Sequence, residues 1–423
     1  MVNETWRGER NESGTRYGVR AFAPDSIPSS VTKKTRLENI FEDSAKAAKC
    51  DFGSQEIPFE LYDQATKQLP DETGRGSVDI MARNFRDKYQ HEYGIAQESD
   101  EPRPHPGVIV GGEAGREKRR EYAIVFGSKI FGSIAAVWWM FTYDTGWVEW
   151  SAFIVGYIIL MLGIVLGFHR YYSHKAFDTS VPMQYILGAM AQMSIQSSVL
   201  RWAADHRRHH AHSDEIGDVH SPWLDGRGRK TSRLKGMFHS HFGWFMDDCV
   251  TDMSIYGKGL ADNEVVLWLH KTRWYWLIFS LIIFPGIWGL VFGGWNHVIG
   301  TILIGGYFRT FVVLQITLGI SSYAHVVGSQ RHTKGVGTAK NSFIFSLLTF
   351  GEGWHNNHHK HPRASFQGMA WWEIDIAGYV LLLLEKMGLV WNVTRQPKYI
   401  KSESGEWVLA ERKIAPKPVN AEA

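Results

Sequence analysis

Cysteine is almost absent: the 423-residue chain holds two, Cys50 and Cys249. They lie far apart and in no ligand-type spacing, which excludes a disulfide framework and a thiolate metal site. A dominant charge is lacking too. Lys plus Arg number 46 against 43 Asp plus Glu, a net +3, which gives no ground for a nucleic-acid partner. No basic segment followed by an apolar run opens the chain, so no cleavable leader is expected. Long apolar stretches are missing until after Arg119-Arg120. No Ser–His–Asp or Cys–His arrangement stands out. The Gly-rich run 107–115, GVIVGGEAG, has no strand–helix unit around it, and a dinucleotide loop would need one. No flavin or nicotinamide module is evident.

Histidine and aromatics are what the chain has in excess. There are 19 histidines and 18 tryptophans, and only His91 and His105 precede His169.

Four apolar stretches follow the polar opening: Tyr122–Tyr143, Trp150–Phe168, Trp274–Trp295 and Val298–Tyr323. Each is close to the ~20 residues that cross a ~30 Å hydrocarbon core, with Trp and Tyr at their ends as at membrane interfaces. Lys129 is near the start of the first, where it is expected to snorkel. Arg309 is inside the fourth and should face the bundle interior or a polar cavity. Asp144-Thr145-Gly146 joins the first pair and Asn296-His297 the second, so the chain is read as two hairpins. Neither turn contains Lys or Arg. Arg116, Lys118, Arg119 and Arg120 precede the first stretch, and Arg170, Lys175, Arg201, Arg207 and Arg208 follow the second. The positive-inside rule then places both termini and the segment 169–273 in the cytoplasm. Pro182–Leu200 is apolar but carries Gln184, Gln192, Gln196 and Ser198. It is read as one helix on the bilayer surface or within a cytoplasmic cap.

The expected fold is therefore an all-α, multi-pass integral membrane protein. Four transmembrane helices form two hairpins, and a cytoplasmic helical cap holds a di-metal site. Residues 1–120 form a polar cytoplasmic extension, 121–395 the membrane domain and 396–423 a tail.

Three histidine clusters carry the functional reading: His169-x-x-x-x-His174, His206-x-x-His209-His210 and His355-x-x-His358-His359. In H-x-x-H-H the rings leave one helical face a turn apart, so each triplet is expected to converge on a small volume. The i, i+5 pair His169 and His174 does not share a face of a regular helix and needs a helix end or a distortion. One hairpin precedes the first cluster, none separates it from the second, and one separates the second from the third. All eight rings then emerge on one side. One structural metal takes four ligands, so eight imply two. Imidazole alone does not choose among iron, zinc, copper and nickel. Isolated histidines such as His270 and His297 are read as ordinary hydrogen-bonded residues.

With those residues in view, HRYYSH, DHRRHH and GEGWHNNHH resemble the three histidine boxes of the membrane fatty-acyl desaturases, the stearoyl-CoA and delta-9 acyl-lipid group. The likeness covers residues 120–395. GEGWHNNHHKHPRAS and WWEIDIAG look most like the bacterial and cyanobacterial branch. The resemblance implies a ninth ligand, His325 in SSYAHVVG, and two iron ions held by His169, His174, His206, His209, His210, His325, His355, His358 and His359. It also implies O2-dependent insertion of a cis double bond, at delta-9, into a fatty acyl chain. Spans two and four with Met183–Met193 are expected to wall the acyl tunnel. Asp205 and Glu352 are expected to orient imidazoles, with Trp202 and Gln315 close to the site or substrate. Electrons would come from a separate ferredoxin or cytochrome b5 type donor. Arg-Pro-His105-Pro-Gly-Val is similar to the haem loop of a fused cytochrome b5, but no second histidine follows until His169.

The chain departs from the acyl-CoA members in three places. Gln315 and Ser321 stand where they usually carry asparagines, and Ala204 precedes Asp205 where they carry Arg. Asp247-Asp248 follow SHFGWFM where they place a basic pair. Acidic residues suit a phosphorylated CoA head poorly, so acyl-carrier protein and membrane lipid stand beside acyl-CoA as carriers. A hydroxylase, epoxidase or acetylenase on the same scaffold, and a non-catalytic lipid sensor, remain as alternatives.

Overall fold

The computed structural model describes residues 93–97, 99–396, 399–401 and 407–409. Cys50, His91 and the amphipathic run around Leu37–Ala48 lie outside the described residues.

Four long helices dominate: α1 (Gly112–Thr142), α2 (Trp147–Ser173), α7 (Arg273–Gly293) and α8 (Trp295–His325), each long and apolar enough to cross a membrane. α1 starts well before Tyr122 because its polar first turns find partners. Lys118 Nζ donates to Trp244 O and Asp247 Oδ1, both at 2.6 Å, and to Cys249 O at 2.7 Å. Lys129 does not snorkel. It is fully buried, and its Nζ donates to Ser194 O (3.0 Å) and Ile195 O (2.8 Å), carbonyls just past a helix end that lack helical partners. Asn296-His297 is not a turn. Both residues belong to the first turn of α8, and the joint is Gly294, whose φ of +79° suits a residue without Cβ. Arg309 does face the interior: it is fully buried, and Nη2 donates to Ser280 O (2.8 Å) and Oγ (2.7 Å). His270 and His297 are hydrogen-bonded as expected, the first to Ser198 Oγ and Tyr93 O, the second to Glu149.

Shorter elements lie before, between and after these helices in the chain. β1 (Val108–Val110), before α1, pairs antiparallel with β3 (Cys249–Thr251). The Gly-rich run thus does sit in a strand–helix unit, but not in the parallel arrangement of a dinucleotide loop. Ile95 and Val108–Val110 are fully buried, so the polar extension gives way to built-in core before residue 120. β2 (Asp178–Thr179) pairs with β4 (Val390–Trp391). α3 (Val181–Gln192) crosses α2 so closely that a Cβ on Gly163 would fall 2.3 Å from Met190 C. α3 ends at Gln192, and Ile195 and Ser197 take φ of +56° and +102°. Pro182–Leu200 is therefore two elements, with α4 (Val199–Ala211) beginning at a Ser198 cap. α5 (233–246) runs through Arg233–Phe238, His239–Gly243 and Trp244–Met246. α6 (Glu264–Lys271), α9 (Phe343–Leu348), α10 (His355–Lys360) and α11 (Ile376–Lys386) complete the helices used below. The largest apolar cluster, including Phe168, Leu187, Leu200 and Leu269, ties α2, α3, α4 and α6 together.

Candidate metal centre

The last eleven residues of α2, Gly163–Ser173, form a π-helix. Its i→i+5 pattern continues to the His174 N–H, which donates to His169 O at 3.2 Å. This is the distortion the i, i+5 pair required, and it sends both rings to one side.

The rings gather in two groups. His169, His174, His206, His210 and His358 form one, and His209, His325, His355 and His359 the other, with the nitrogens inside each group within 4.8 Å of one another. Each H-x-x-H-H triplet is split rather than convergent. The i and i+4 rings of α4 (His206, His210) join the first group and the middle ring (His209) the second. α10 does the reverse, sending His355 and His359 to the second group and His358 to the first. The reason is angular: positions i and i+4 lie nearly above one another, and i+3 is offset around the helix.

The donor set fits metal ions. His358 Nε2 lies 3.0 Å from His169 Nε2 and 2.8 Å from His210 Nε2. His355 Nε2 lies 3.0 Å from the Nε2 atoms of both His325 and His359. A ring nitrogen carries one proton or one lone pair, so several of them meeting at one point suit a shared positive centre. Ligands at ~2.1 Å from a metal and at right angles to each other are roughly 3 Å apart. Burial first, then the neighbouring rings, hold His206, His210, His355, His358 and His359 well below the ordinary imidazole range. They are neutral donors.

Carboxylates back three of the rings. Glu352 Oε2 is 2.5 Å from His169 Nδ1, Asp218 Oδ1 is 2.8 Å from His209 Nδ1 and Asp214 Oδ2 is 3.0 Å from His325 Nδ1. Burial would raise all three acids, but the adjacent rings outweigh it. Glu352 and Asp218 are held below the carboxylate range, and Asp214 falls to about 2. As anions they fix the proton on Nδ1 and turn the Nε2 lone pair inward. His209 is itself raised by Asp218 against the desolvation that would lower it. Asp218→Asn is accordingly expected to weaken metal retention 10- to 100-fold, the usual range for such partners. Chelator competition measures it, and retention equal to wild type would sink the assignment.

Asp205 does not orient a ring. Its carboxylate accepts from Thr251 Oγ1, and it lines the cavity instead. Gln315 is tied to the His241 ring (3.0 Å), which also meets Ser322 Oγ (2.9 Å), and it belongs to neither histidine group. Trp202 stacks on His206 with centroids 5.0 Å apart. Asp214 and Asp218 escaped the sequence reading because they sit in the loop after α4, where no periodicity marks them. Their only signal was closeness to the second cluster.

α10 has six residues, too few to be stable alone. Asn341 Oδ1 accepts the N–H of Asn356 (3.0 Å) and Asn357 (3.2 Å), acting as a remote cap. Glu373 takes the Arg331 fork at 3.0 and 2.7 Å and the Asn357 amide at 3.0 Å.

A cavity of about 100 Å³ is lined by His169, His206, His209 and His355. Met161, Ile164 and Val165 of α2 and Thr317 and Leu318 of α8 wall it, as expected, together with Trp244 of α5. No residue of Met183–Met193 lines it. That helix packs on the outer side of α2, and α5 takes the place foreseen for it.

The fold and this histidine arrangement define a membrane-type oxidoreductase, and the comparisons agree. The fatty acid desaturase family matches residues 144–394, and the chain belongs to that family. It is 35% identical over 263 residues to a hex-5-enoyl-[acyl-carrier protein] acetylenase of Moorena producens, covering 62% of this chain and 80% of that one. It is 32% identical to an sn-1 stearoyl-lipid 9-desaturase of Anabaena variabilis, covering 58% of this chain and 85% of that one. It is 30% identical to an icosanoyl-CoA 5-desaturase of Limnanthes douglasii, covering 58% and 66%.

Proposed function

We propose that the chain is an O2-dependent di-iron desaturase that places a cis double bond, at delta-9, in a fatty acyl chain. The observation that carries this is the pair of five- and four-imidazole groups, four of whose rings line a largely apolar cavity. Nine imidazole donors suit iron, and the family supplies that choice over zinc. His169, His174, His206, His210 and His358 would hold one ion, and His209, His325, His355 and His359 the other. When bound, the ions supply O2 activation and hydrogen removal from unactivated carbons.

The chain's own residues do the rest. Glu352, Asp214 and Asp218 keep protons on Nδ1 and the inner lone pairs free. Met161, Ile164, Val165 and Leu318 exclude water and seat the acyl chain. Trp202 and the Gln196–Thr317 bond (2.9 Å) narrow the cavity beside the rings. Two hydrogens leave the chain, while O2, two electrons and two protons become two waters. Ferredoxin or a cytochrome b5 type protein supplies the electrons. In this reading the protein is multi-pass, built of two hairpins, with both termini and the histidine cap in the cytoplasm. Residues 121–395 are the working unit.

The relatives' names span acyl-carrier protein, lipid and CoA carriers. Asp247 and Asp248 are occupied by Lys118, Arg119 and Arg227, and such a surface offers a CoA phosphate little. The acetylenase likeness gives a second reading, removal of two hydrogens from an existing double bond. Mass spectrometry of lipids from a host expressing the chain separates them. Loss of two hydrogens from a saturated chain supports the first, a new triple bond the second. Added oxygen, or iron content far from two per chain, would sink the desaturase reading.

A further inference from the structure

α5 has two faces, and only one is used by the cavity. Trp244 and Phe245 are buried and line it. On the other face Leu234, Phe238 and Met246 stand 84%, 64% and 41% exposed, and half-buried Phe242 completes a row at intervals of four residues. Three exposed apolar side chains and Phe242, which rests on Phe126 of α1 at 4.8 Å, run along one helix face and mark a surface suited to a bilayer interface. Two cations flank the row at its first turn. Arg233 and Lys235 are exposed and have no acidic partner among the described residues. Of the cations just before them, Arg227 pairs with Asp248 and Glu101 and Arg229 with Asp225, while Lys230 is exposed and, like Arg233 and Lys235, has no acidic partner among the described residues. The charges of Arg227 and Arg229 are spent on these pairs, and those of Arg233 and Lys235 are not. α5 packs against α8 and, through Trp244–Met246, against α1, so the row lies beside long apolar helices.

We infer that Arg233 and Lys235 hold the anionic headgroup of a membrane glycerolipid, with the exposed face of α5 seating its chain beside the cavity wall. The substrate is then an acyl group on an anionic lipid rather than on a soluble thioester carrier. This rests on the desaturase reading for the use of the site, but not for the binding itself. The nine helical rises from Lys235 to Trp244 span roughly 14 Å, comparable to the headgroup-proximal part of a long acyl chain.

The full chain in nanodiscs of phosphatidylcholine, with or without phosphatidylglycerol, tests it in two ways. Native mass spectrometry should find phosphatidylglycerol retained in preference, and desaturated product should appear first in that lipid. Arg233→Gln with Lys235→Gln should lower the preference roughly thirtyfold, at about 1 kcal/mol for each cation near an anionic surface. The swap Arg233→Lys with Lys235→Arg should keep it. Equal retention of both lipids by the wild type, or an unchanged preference in the double glutamine variant, overturns the inference. So does double-bond formation only on a soluble acyl thioester, which leaves the desaturase reading standing. Lipid preference without any oxidation supports the headgroup site while the desaturase reading fails.

Discussion

Replacing His358 with alanine should abolish the reaction, lowering turnover by more than about a hundredfold. Loss of a partner behind a ligand already costs 10- to 100-fold, and His358 is expected to be a ligand itself. Its Nε2 bridges His169 and His210 within the first group, so its loss opens that group at its centre. The side chain is 1% exposed, and alanine there also leaves an apolar gap in a polar nest. The expected signature is loss of bound metal together with loss of product, with the protein still inserted in the membrane. His297→Ala is the control. That ring bonds Glu149 at 2.6 Å between α8 and α2 and is in neither group. Wild-type turnover in His358→Ala would overturn the ligand assignment.

Arg170→Ala should be the most destabilising single change, by about 3–5 kcal/mol, the range for uncoupling a buried ion pair. Arg170 is 1% exposed. It donates to Ser365 O (2.6 Å), Asp375 Oδ1 (2.9 Å) and Glu352 Oε1 (3.4 Å). Alanine leaves two carboxylates buried without their cation. Asp375 also caps α11 through Gly378 N–H (2.8 Å) and accepts from Gln367 N–H (2.7 Å), so the damage spreads beyond one contact. Unfolding followed in detergent measures it. Arg170→Lys should recover only part, since an ammonium lacks the planar fork. Arg170→Met with Asp375→Asn should recover more than either single change predicts. A midpoint within error of wild type for Arg170→Ala would refute the account.

The sequence made the long helices and the histidine gathering visible, because both rest on local periodicity. Apolar length marked α1, α2, α7 and α8 to within a few residues at most ends, and the i, i+3, i+4 spacing put rings on one side of α4 and α10. What escaped notice depends on contacts across long sequence separations. Nothing near Lys129 announces the Ser194 and Ile195 carbonyls that hold it. Nothing near Arg170 announces Asp375. The splitting of each triplet needs the second helix to be placed before it can be seen. Asp205 misled because adjacency in sequence to a ligand is not adjacency to its Nδ1. Asn296-His297 misled because a turn needs only one residue when that residue is Gly294.

The π-helical end of α2 makes the number of residues there as important as their chemistry. A π segment amounts to one residue more than an α-helix needs for the same path. Removing a single residue between Gly163 and Phe168 would let the helix relax to α geometry, with His169 and everything after it rotated to a new phase. A sequence one residue shorter in this stretch could keep every histidine and still be unable to bring the first pair to a common point.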